Sequence, residues 1–220
     1  EGWAASGYPE WGQFKLGHTH PGFSNSGLMA VLAQTYAGAD KQRGLTMDDL
    51  QDPGVQQFMA DVQLSIIHYG TITGFFGSRM FDRGPAYLSA AVLYENLIVA
   101  QETKRLSGQS QQLPVIAIYP KEGTFWSNHP YVILNAPWVT DEQRQAAVLF
   151  QDFLLADPQQ RRAIELGFRP VSPSVPLTAP LDMDHGVDIE QPKTVLAVPS
   201  AEVIVGAQAL WKQVKKPVDL

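Results

Sequence analysis

The sequence predicts an α/β fold in which short buried strands run parallel and alternate with helices. Apolar residues recur at helical spacing in several long segments. Between these segments lie short apolar runs bounded by glycine and proline, which is typical of strands buried on both faces. The alternation of the two kinds of segment favours a parallel sheet with helices packed against it.

Helices in the first part of the chain are predicted from apolar periodicity and from residues that favour helix ends. Gly38 closes the first of them, and Asp52 with Pro53 forms an N-cap and first-turn pair for the third. Gly70 is expected to end that third helix. The predicted helices cover residues 26–37, 46–50 and 53–70, and another begins at Thr71 or Thr73.

Short apolar runs further along the chain are predicted to be strands of the sheet. The first, YLSAAVLYE at residues 87–95, follows Gly84 and Pro85. The runs LPVIAIYP at residues 113–120 and NHPYVILN at residues 128–135 have the same character. NLIVAQETKRL, between the first two runs, is predicted to be helical, as the connection between parallel strands usually is.

The clearest helix is predicted to begin at Thr140, where Thr140 and Gln143 form a capping box. Its apolar face is expected to be buried and consists of Ala146, Leu149, Phe150, Phe153 and Leu154. Asp157, followed by proline, starts another helix that stops at Gly167. The proline-rich stretch 170–199 is expected to be extended, and a last helix over about 201–214 precedes the linker-like tail KKPVDL.

Composition and charge exclude several classes of function. The chain has 220 residues, 45% of them hydrophobic, and a net charge of -6, with no basic run longer than Lys215-Lys216. It can bury a core, but it lacks the clustered cations that nucleic acid requires. The absence of cysteine excludes disulfides, thiolate metal sites and cysteine nucleophiles. No apolar stretch reaches the roughly 18 residues of a membrane span, and the first residues are not a targeting segment.

The polar stretch GHTHPGFSNSGL at residues 17–28 directly precedes a predicted helix and is not a convincing core strand. A serine hydrolase elbow would need glycine where Ser26 stands, and a P-loop would need lysine after Gly27. His18 and His20 could project to one side of an extended segment and hold a metal ion if other ligands joined them. The favoured interpretation is that both histidines lie in a surface loop and bond to the backbone, because no spacing supplies the remaining ligands.

The same stretch suits capture of a ligand by the N-terminus of a helix. The first turn leaves up to four N–H groups unpaired and carries roughly half a positive charge, and glycine permits close approach. Residues 71–74 offer this chemistry a second time. Residues 94–96 place polar groups after a predicted strand, where ligands bind in open α/β sheets. An ordinary N-cap without a ligand is the alternative at the first N-terminus.

From about Trp11 to Leu220 the chain resembles the bacterial extracellular solute-binding domain related to molybdate-type periplasmic binding proteins, in particular the subgroup fused ahead of a von Willebrand factor A domain. The stretches that carry the resemblance are WGQFKLGHTHPGFSNSGL, FFGSRMFDRGP, LSAAVLYENL, YPKEGTFWSNHPYVILNAPW, LLADPQQRRAIELGFRPV, GVDIEQPKTVLAVPSAEVI and KKPVDL. The resemblance implies a type II periplasmic binding protein fold with two lobes and a hinge, and a first lobe that is incomplete here. It places the second, ligand-binding lobe with a leading segment in residues 1–126. Residues 127–220 would then cross back to the first lobe and end in a linker.

The resemblance also implies a binding site made of two helix N-termini and a tyrosine. Matched residue by residue, these fall on Ser24, Asn25, Ser26 and Gly27, on Thr73 and Gly74, and on Tyr94 with Glu95 beside it. Glu95 departs from the pattern, because a carboxylate would repel an oxyanion such as molybdate. It could instead pair with a cationic or hydroxyl-rich ligand, or be a solvated carboxylate at a helix N-terminus. Tyr119, Phe125 and Trp126 are expected either to line the hinge or to pack in the core.

The expected function is capture of a small polar or anionic solute between the lobes, outside the cytoplasm, without a metal, a cofactor or catalysis. No nucleophile–base pair or carboxylate dyad can be read from the sequence. The alternatives are a protein-interaction scaffold with a vestigial cleft beside a von Willebrand factor A domain, and a metal-dependent hydrolase built on His18 and His20. The resemblance implies a signal peptide and often a lipid-anchored cysteine ahead of this chain. An incomplete first lobe would leave apolar surface that favours a homodimer.

Overall fold

The computed structural model describes residues 2–215, so the tail beyond Lys215 lies outside the described residues. The strands are β1 (Leu16–Thr19), β2 (Ile66–Gly70) and β3 (Ala90–Ala91). The helices are α1 (Asn25–Gly38), α2 (Met47–Gln51), α3 (Pro53–Ser65), α4 (Thr73–Arg83), α5 (Glu95–Leu106), α6 (Asp141–Leu155), α7 (Asp157–Glu165) and α8 (Ala201–Val214). Short 3₁₀ helices lie at Gly2–Ser6, Pro9–Trp11, Gly84–Ala86 and Met183–His185.

The sheet has the order β2-β1-β3, and both pairs of strands are parallel. Gly17 of β1 pairs with His68 of β2 on one side and with Ala91 of β3 on the other. A helix follows each strand, and the chain passes from β1 through α1, α2 and α3 to β2 and from β2 through α4 to β3. The prediction of a parallel α/β sheet is therefore confirmed, and the three strands end at the same edge.

The main core lies between the sheet and the helices α1, α3 and α8. Tyr36, Met59, Ile66 and Trp211 are among its fully buried side chains. Trp211 Nε1 and Tyr69 Oη both donate to Gln63 Oε1, at 3.2 Å and 2.6 Å, so the polar atoms that enter this core are paired. The predicted helix at residues 201–214 is confirmed, and it supplies a large part of this core.

A smaller core lies beside α5. It consists of Val99, Ile164, Val175, Leu181 and Val187. The predicted division at residue 126 stays a prediction. Both cores nevertheless contain residues from either side of that position, because Trp211 packs in the main core and Ile164 packs against Val99.

Two strands differ from the prediction. The pattern predicts a helix up to Gly70, but α3 ends at Ser65 and the chain continues as β2. Isoleucine and tyrosine suit a strand, and Ile66 and Tyr69 become buried when β2 pairs with β1. The stretch interpreted as a polar loop contains β1, the central strand of the sheet. The interpretation was wrong because β1 is short and contains a histidine.

Other predicted strands do not form. Within residues 87–95 only Ala90–Ala91 pairs as a strand, and in the described part of the chain neither 113–120 nor 128–135 joins the sheet. Residues 113–118 and β3 both line a cavity. An apolar extended segment becomes a strand only when another backbone lies about 4.8 Å away, and the sequence does not show that distance.

The capping box predicted for α6 is confirmed, because Thr140 and Gln143 bond reciprocally. The predicted burial of its apolar face is wrong. No residue of α6 is buried, and Leu149 is 70% exposed. The helix packs against α7, and periodicity identifies an apolar face without identifying what covers it. No helix within residues 2–215 is long and apolar enough to cross a membrane.

Candidate functional site

The three parallel strands end at one edge of the sheet and lead there into three helices. β1 is followed by α1, β2 by α4 and β3 by α5. The His20 N–H donates to the Gly70 carbonyl oxygen at 2.7 Å, which ties the ends of β1 and β2 together. This is the edge at which open α/β sheets bind ligands.

Four hydroxyl groups connect the N-terminus of α1 to that of α4. The Ser26 Oγ lies 2.7 Å from both Thr19 Oγ1 and Thr73 Oγ1. The Ser24 Oγ lies 2.9 Å from Thr73 Oγ1 and 3.3 Å from Ser26 Oγ. Because a hydroxyl both donates and accepts, the cluster can redirect its protons toward a bound oxygen atom. Thr19 was not predicted as a site residue, because its position depends on β1.

The helices that start at this edge have no side-chain caps. Their N-cap residues Ser24, Ile72 and Tyr94 have extended backbones, but the side chains of these residues accept no bond from the first turn. The Ser24 hydroxyl is instead bonded to its hydroxyl neighbours. N–H groups with no acceptor among residues 2–215 include those of Ser26, Gly27, Gly74 and Phe75. The start of each helix therefore presents unused donors and the positive end of its dipole.

Gly27 and Gly74 have different surroundings in the first turns of α1 and α4. A Cβ atom on Gly27 would lie 2.0 Å from the Thr19 carbonyl oxygen, so only glycine lets α1 start directly against the end of β1. A Cβ atom on Gly74 would meet nothing within 4 Å. The backbone at Gly74 therefore faces open space through which a solute could reach the free N–H groups.

Further polar contacts bring α5 to the same edge. The Asn25 Nδ2 donates to Tyr94 Oη at 3.4 Å and to Ser127 Oγ at 3.2 Å. The structure thus places the predicted residues of α1, α4 and α5 together. Ser127 was not predicted, because it lies 102 positions from Asn25 and no local pattern marks it.

Glu95 lies beside this group, but its carboxylate is engaged by other residues. Arg169 holds it through two bonds, Nε to Oε2 at 2.8 Å and Nη2 to Oε1 at 2.9 Å, and Tyr119 donates a short bond to Oε1. The Arg169 guanidinium lies 5.2 Å from the centre of the Trp126 ring. The opposite charge of Arg169 offsets the repulsion expected between Glu95 and an oxyanion.

These contacts change the protonation behaviour of the two partners of Glu95. Burial, together with the bond to Glu95, raises the pKa of the Tyr119 hydroxyl. Burial alone would lower the pKa of Arg169, but its bonds to Glu95 outweigh this effect and raise it. Both groups therefore keep their protons near neutral pH and stay bonded to the carboxylate.

His18 does not lie in a surface loop, contrary to the interpretation of the sequence. It is fully buried in β1, where Nδ1 bonds to the Thr19 carbonyl oxygen at 2.7 Å and Nε2 has no hydrogen-bond partner among residues 2–215. Burial lowers the pKa of His18 to about 4. The partly buried His20 packs against Phe23 and Trp211. Within residues 2–215, no three histidine, aspartate or glutamate side chains are grouped as a metal ion would require.

Comparison with known proteins identifies the family of this chain. A family model described as a bacterial extracellular solute-binding protein matches residues 3–188. Neither curated proteins nor solved structures give a significant match to the chain. The matched residues include all three strands and the helix N-termini at their carboxyl edge. The chain therefore belongs to the bacterial extracellular solute-binding proteins, a family whose general role is to bind solutes outside the cytoplasm.

Proposed function

We propose that this chain captures a small polar or anionic solute at the carboxyl edge of its sheet, without catalysis. The observation that carries the proposal is the set of unpaired N–H groups at the starts of α1 and α4, joined by the hydroxyls of Ser24, Ser26 and Thr73. Backbone donors at helix N-termini favour negatively charged or oxygen-rich groups. Asn25 and Tyr94 would contact the same solute from the side of α5.

The charges around the site favour an anionic ligand more strongly than the sequence alone indicated. Arg169 neutralises Glu95, and the dipoles of α1 and α4 both place positive charge at the hydroxyl cluster. We expect Glu95 to act through these bonds and not to contact the solute. An oxyanion or a carboxylate is the ligand class that such donors fit.

We further propose the type II arrangement, in which the first lobe closes over this edge of the second lobe and buries the solute in a cleft with a hinge. The family match supports a solute-binding domain. The division at residue 126, the molybdate-like character of the site and the neighbouring von Willebrand factor A domain are parts of this proposal. They are supported by the sequence resemblance described above.

A second candidate function is a protein-interaction scaffold. It is favoured by the apolar face of α6, where Leu149 and Phe153 are 70% and 53% exposed. Exposed apolar patches often mark protein–protein contacts. An interaction scaffold would not bind the small solutes and would bind a protein that covers α6.

Thermal unfolding in the presence of sulfate, phosphate, molybdate, sugars and amino acids tests the proposed function. A solute present at 100 times its Kd should stabilise the chain by about 2.7 kcal/mol. The double variant Ser26→Ala/Thr73→Ala should keep its fold and weaken binding at least tenfold, because hydrogen bonds to charged groups are worth about 1.5–3 kcal/mol each. Ser200→Ala, which removes the cap of α8 away from the site, is the control that should leave affinity unchanged. Absence of binding across the panel would contradict the proposal.

A further inference from the structure

One ion pair, Glu95 with Arg169, lies in a cavity that it shares with the solute site. Both residues line this cavity of about 1610 Å³, as do Ser26 and Tyr94 of the site. The side chains of Arg169 and Glu95 are only 16% and 22% exposed. Removing two charges from water costs free energy that their attraction offsets only in part, so such a pair is weak evidence of a role in stability. Its place beside the site is better explained by a role in binding.

The Arg169 guanidinium has partners that do not depend on Glu95. Its Nη1 donates to the Ile189 carbonyl oxygen and its Nη2 to the Asp188 carbonyl oxygen, both at 3.2 Å. Its Cζ atom lies 5.2 Å from the centre of the Trp126 ring, within the range of a cation–π interaction. Loss of the carboxylate charge would therefore leave the guanidinium in place.

Glu95 is likewise held by groups other than Arg169. Tyr119 donates a short hydrogen bond to its Oε1. Glu95 also lies in the first turn of α5, where the helix dipole favours a carboxylate. A substitution that removes one charge should therefore change the net charge of the pair more than its geometry.

The pair is next in sequence to the side chains that contact Asn25 at the start of α1. Tyr94 directly precedes Glu95, and Ser127 directly follows Trp126, whose ring faces the guanidinium. The Asn25 Nδ2 donates to both Tyr94 Oη and Ser127 Oγ. Neighbouring Cα atoms are about 3.8 Å apart, and charges interact over roughly 10 Å at about 0.1 M salt. The charge of the pair should therefore act on a solute bound beside Asn25.

Few other charges face this cavity. Apart from His129, the acidic and basic side chains that line it within residues 2–215 are Glu95, Glu122 and Arg169. Glu122 is 45% exposed, and its Oε1 lies 3.8 Å from the Lys121 Nζ, so solvent and the lysine screen its charge. The charge that the solute meets from this wall therefore depends mainly on Glu95 and Arg169, and it is zero while both are ionised.

We propose that the Glu95–Arg169 ion pair determines which sign of charge the solute site accepts. Arg169 cancels the carboxylate, so the positive ends of the α1 and α4 dipoles remain available to an anion. Without Arg169, the uncompensated carboxylate would repel an anion, and without the Glu95 charge, the guanidinium would attract an anion more strongly. This inference rests on the proposed solute binding, and it assigns the selectivity for charge to Arg169, which acts through Glu95.

Calorimetric titration tests the pair, with whichever of sulfate, phosphate and molybdate binds the wild type most tightly. Arg169→Gln should weaken binding by about tenfold or more, and Glu95→Gln should strengthen it by about tenfold. The double variant Glu95→Gln/Arg169→Gln has no net charge here, as in the wild type, and should bind within about threefold of it. Arg169→Lys keeps the charge and should also bind within about threefold. The differences should shrink at about 0.5 M sodium chloride, which screens charges.

The matched control is Arg162→Gln, which removes one positive charge from an exposed ion pair on α7 and should leave the affinity unchanged. Thermal unfolding shows whether each variant is folded. If the double variant binds worse than both single variants, the two side chains serve only the shape of the site and the proposal is wrong. Equal losses in Arg162→Gln and Arg169→Gln would assign the effect to the overall charge of the chain and would also overturn it.

Failure of this inference can be distinguished from failure of the proposed function. If the wild type binds an oxyanion and the variants of the pair bind it equally well, only the role of Glu95 and Arg169 is contradicted. If the wild type binds none of the three oxyanions, anion capture itself is contradicted, and this inference is overturned with it.

Discussion

The helices of this protein start in two ways, and the difference follows their position. Thr46, Asp52, Thr140 and Ser200 cap α2, α3, α6 and α8 by accepting bonds from first-turn N–H groups. The helices α1, α4 and α5, which start at the carboxyl edge of the sheet, have no side-chain cap. α7 also lacks one, but Pro158 in its first turn has no N–H to satisfy.

First-turn N–H groups are therefore of two kinds: those that a side-chain cap satisfies and those, at the carboxyl edge of the sheet, that remain available to a ligand. A side-chain cap typically contributes about 1 kcal/mol to the stability of the fold, and α1, α4 and α5 lack this contribution. Ser24 is a good capping residue by type, yet its hydroxyl bonds to Thr73 and Ser26. These three helices therefore lack the usual stabilising cap at the edge where we propose that the solute binds, and such departures from local stability are common at functional sites.

The largest effect is expected at Gly27, where the start of α1 touches the end of β1. Gly27→Ala should destabilise the fold by about 3 kcal/mol, because the new methyl group would meet the rigid Thr19 carbonyl oxygen. Urea unfolding measures the change. The control is Gly206→Ala in α8, whose Cβ would meet the side-chain ends of Leu50 and Met47 instead of backbone and should cost less. Equal costs would contradict the close contact that positions α1.

Acid should destabilise the fold through His18, which is buried in β1. His18 has an ordinary pKa of 6.5 when unfolded and a pKa of about 4 when folded. Between these values the unfolded chain binds a proton that the folded chain does not, so stability is lost as pH falls from 6.5 towards 4. The loss due to His18 should reach about 3 kcal/mol at pH 4.

Urea unfolding at pH 7 and pH 4.5 checks this expectation. The variant His18→Leu removes the titrating group and should lose less stability over this range than the wild type. His20 and His68, whose pKa values burial also lowers, contribute with the same sign in both proteins and cancel in the comparison. Identical losses in the two proteins would show that His18 is not held neutral in the core.

The residues at the helix N-termini could be predicted from the sequence because their signals are local. Serine, threonine and glycine before an apolar periodic run mark the start of a helix, and Ser24, Ser26, Thr73 and Gly74 all fall there. Their meeting at one edge followed from the parallel sheet. The absence of capping bonds could not be predicted, since it depends on a hydroxyl cluster between residues 47 to 49 positions apart.

The rest of the fold depends on contacts that the sequence does not display. The short strand β1 is identified by its partners and not by its composition. The pairing of Glu95 with Arg169 spans 74 positions and has no pattern. The apolar face of α6 is evident from its spacing, but a periodic pattern cannot tell whether another surface covers it.

Installing a cap on α4 would convert an uncapped helix into a capped one. Ile72 is 57% exposed and has the extended backbone, φ -131 and ψ 126, that capping residues adopt. Ile72→Asp should stabilise the fold by about 1 kcal/mol, since its carboxylate would accept bonds from the first turn. The same carboxylate should weaken oxyanion binding at least tenfold by occupying the donors and repelling the anion. Thermal unfolding and calorimetric titration measure the two effects.

Ile72→Asn separates the effect of occupying the first-turn N–H groups from the effect of adding a negative charge. It should cap α4 about as well as aspartate and weaken oxyanion binding less, because its side chain is neutral. If Ile72→Asp stabilises the protein and leaves oxyanion affinity unchanged, the N-terminus of α4 is not part of the solute site.

The smallest effect on stability, and a large one on binding, is expected at Gly74. Gly74→Ala adds a methyl group where nothing lies within 4 Å, and alanine favours the helix, so the fold should gain about 0.4–1 kcal/mol. The methyl group would stand in the open space beside the free N–H groups of α4 and should weaken solute binding by about tenfold. Calorimetric titration compares the solute affinities of Gly74→Ala and Gly27→Ala. It distinguishes a glycine required for the packing of a helix from one required for access of the solute. Unchanged affinity in Gly74→Ala would mean that the solute approaches α1 alone.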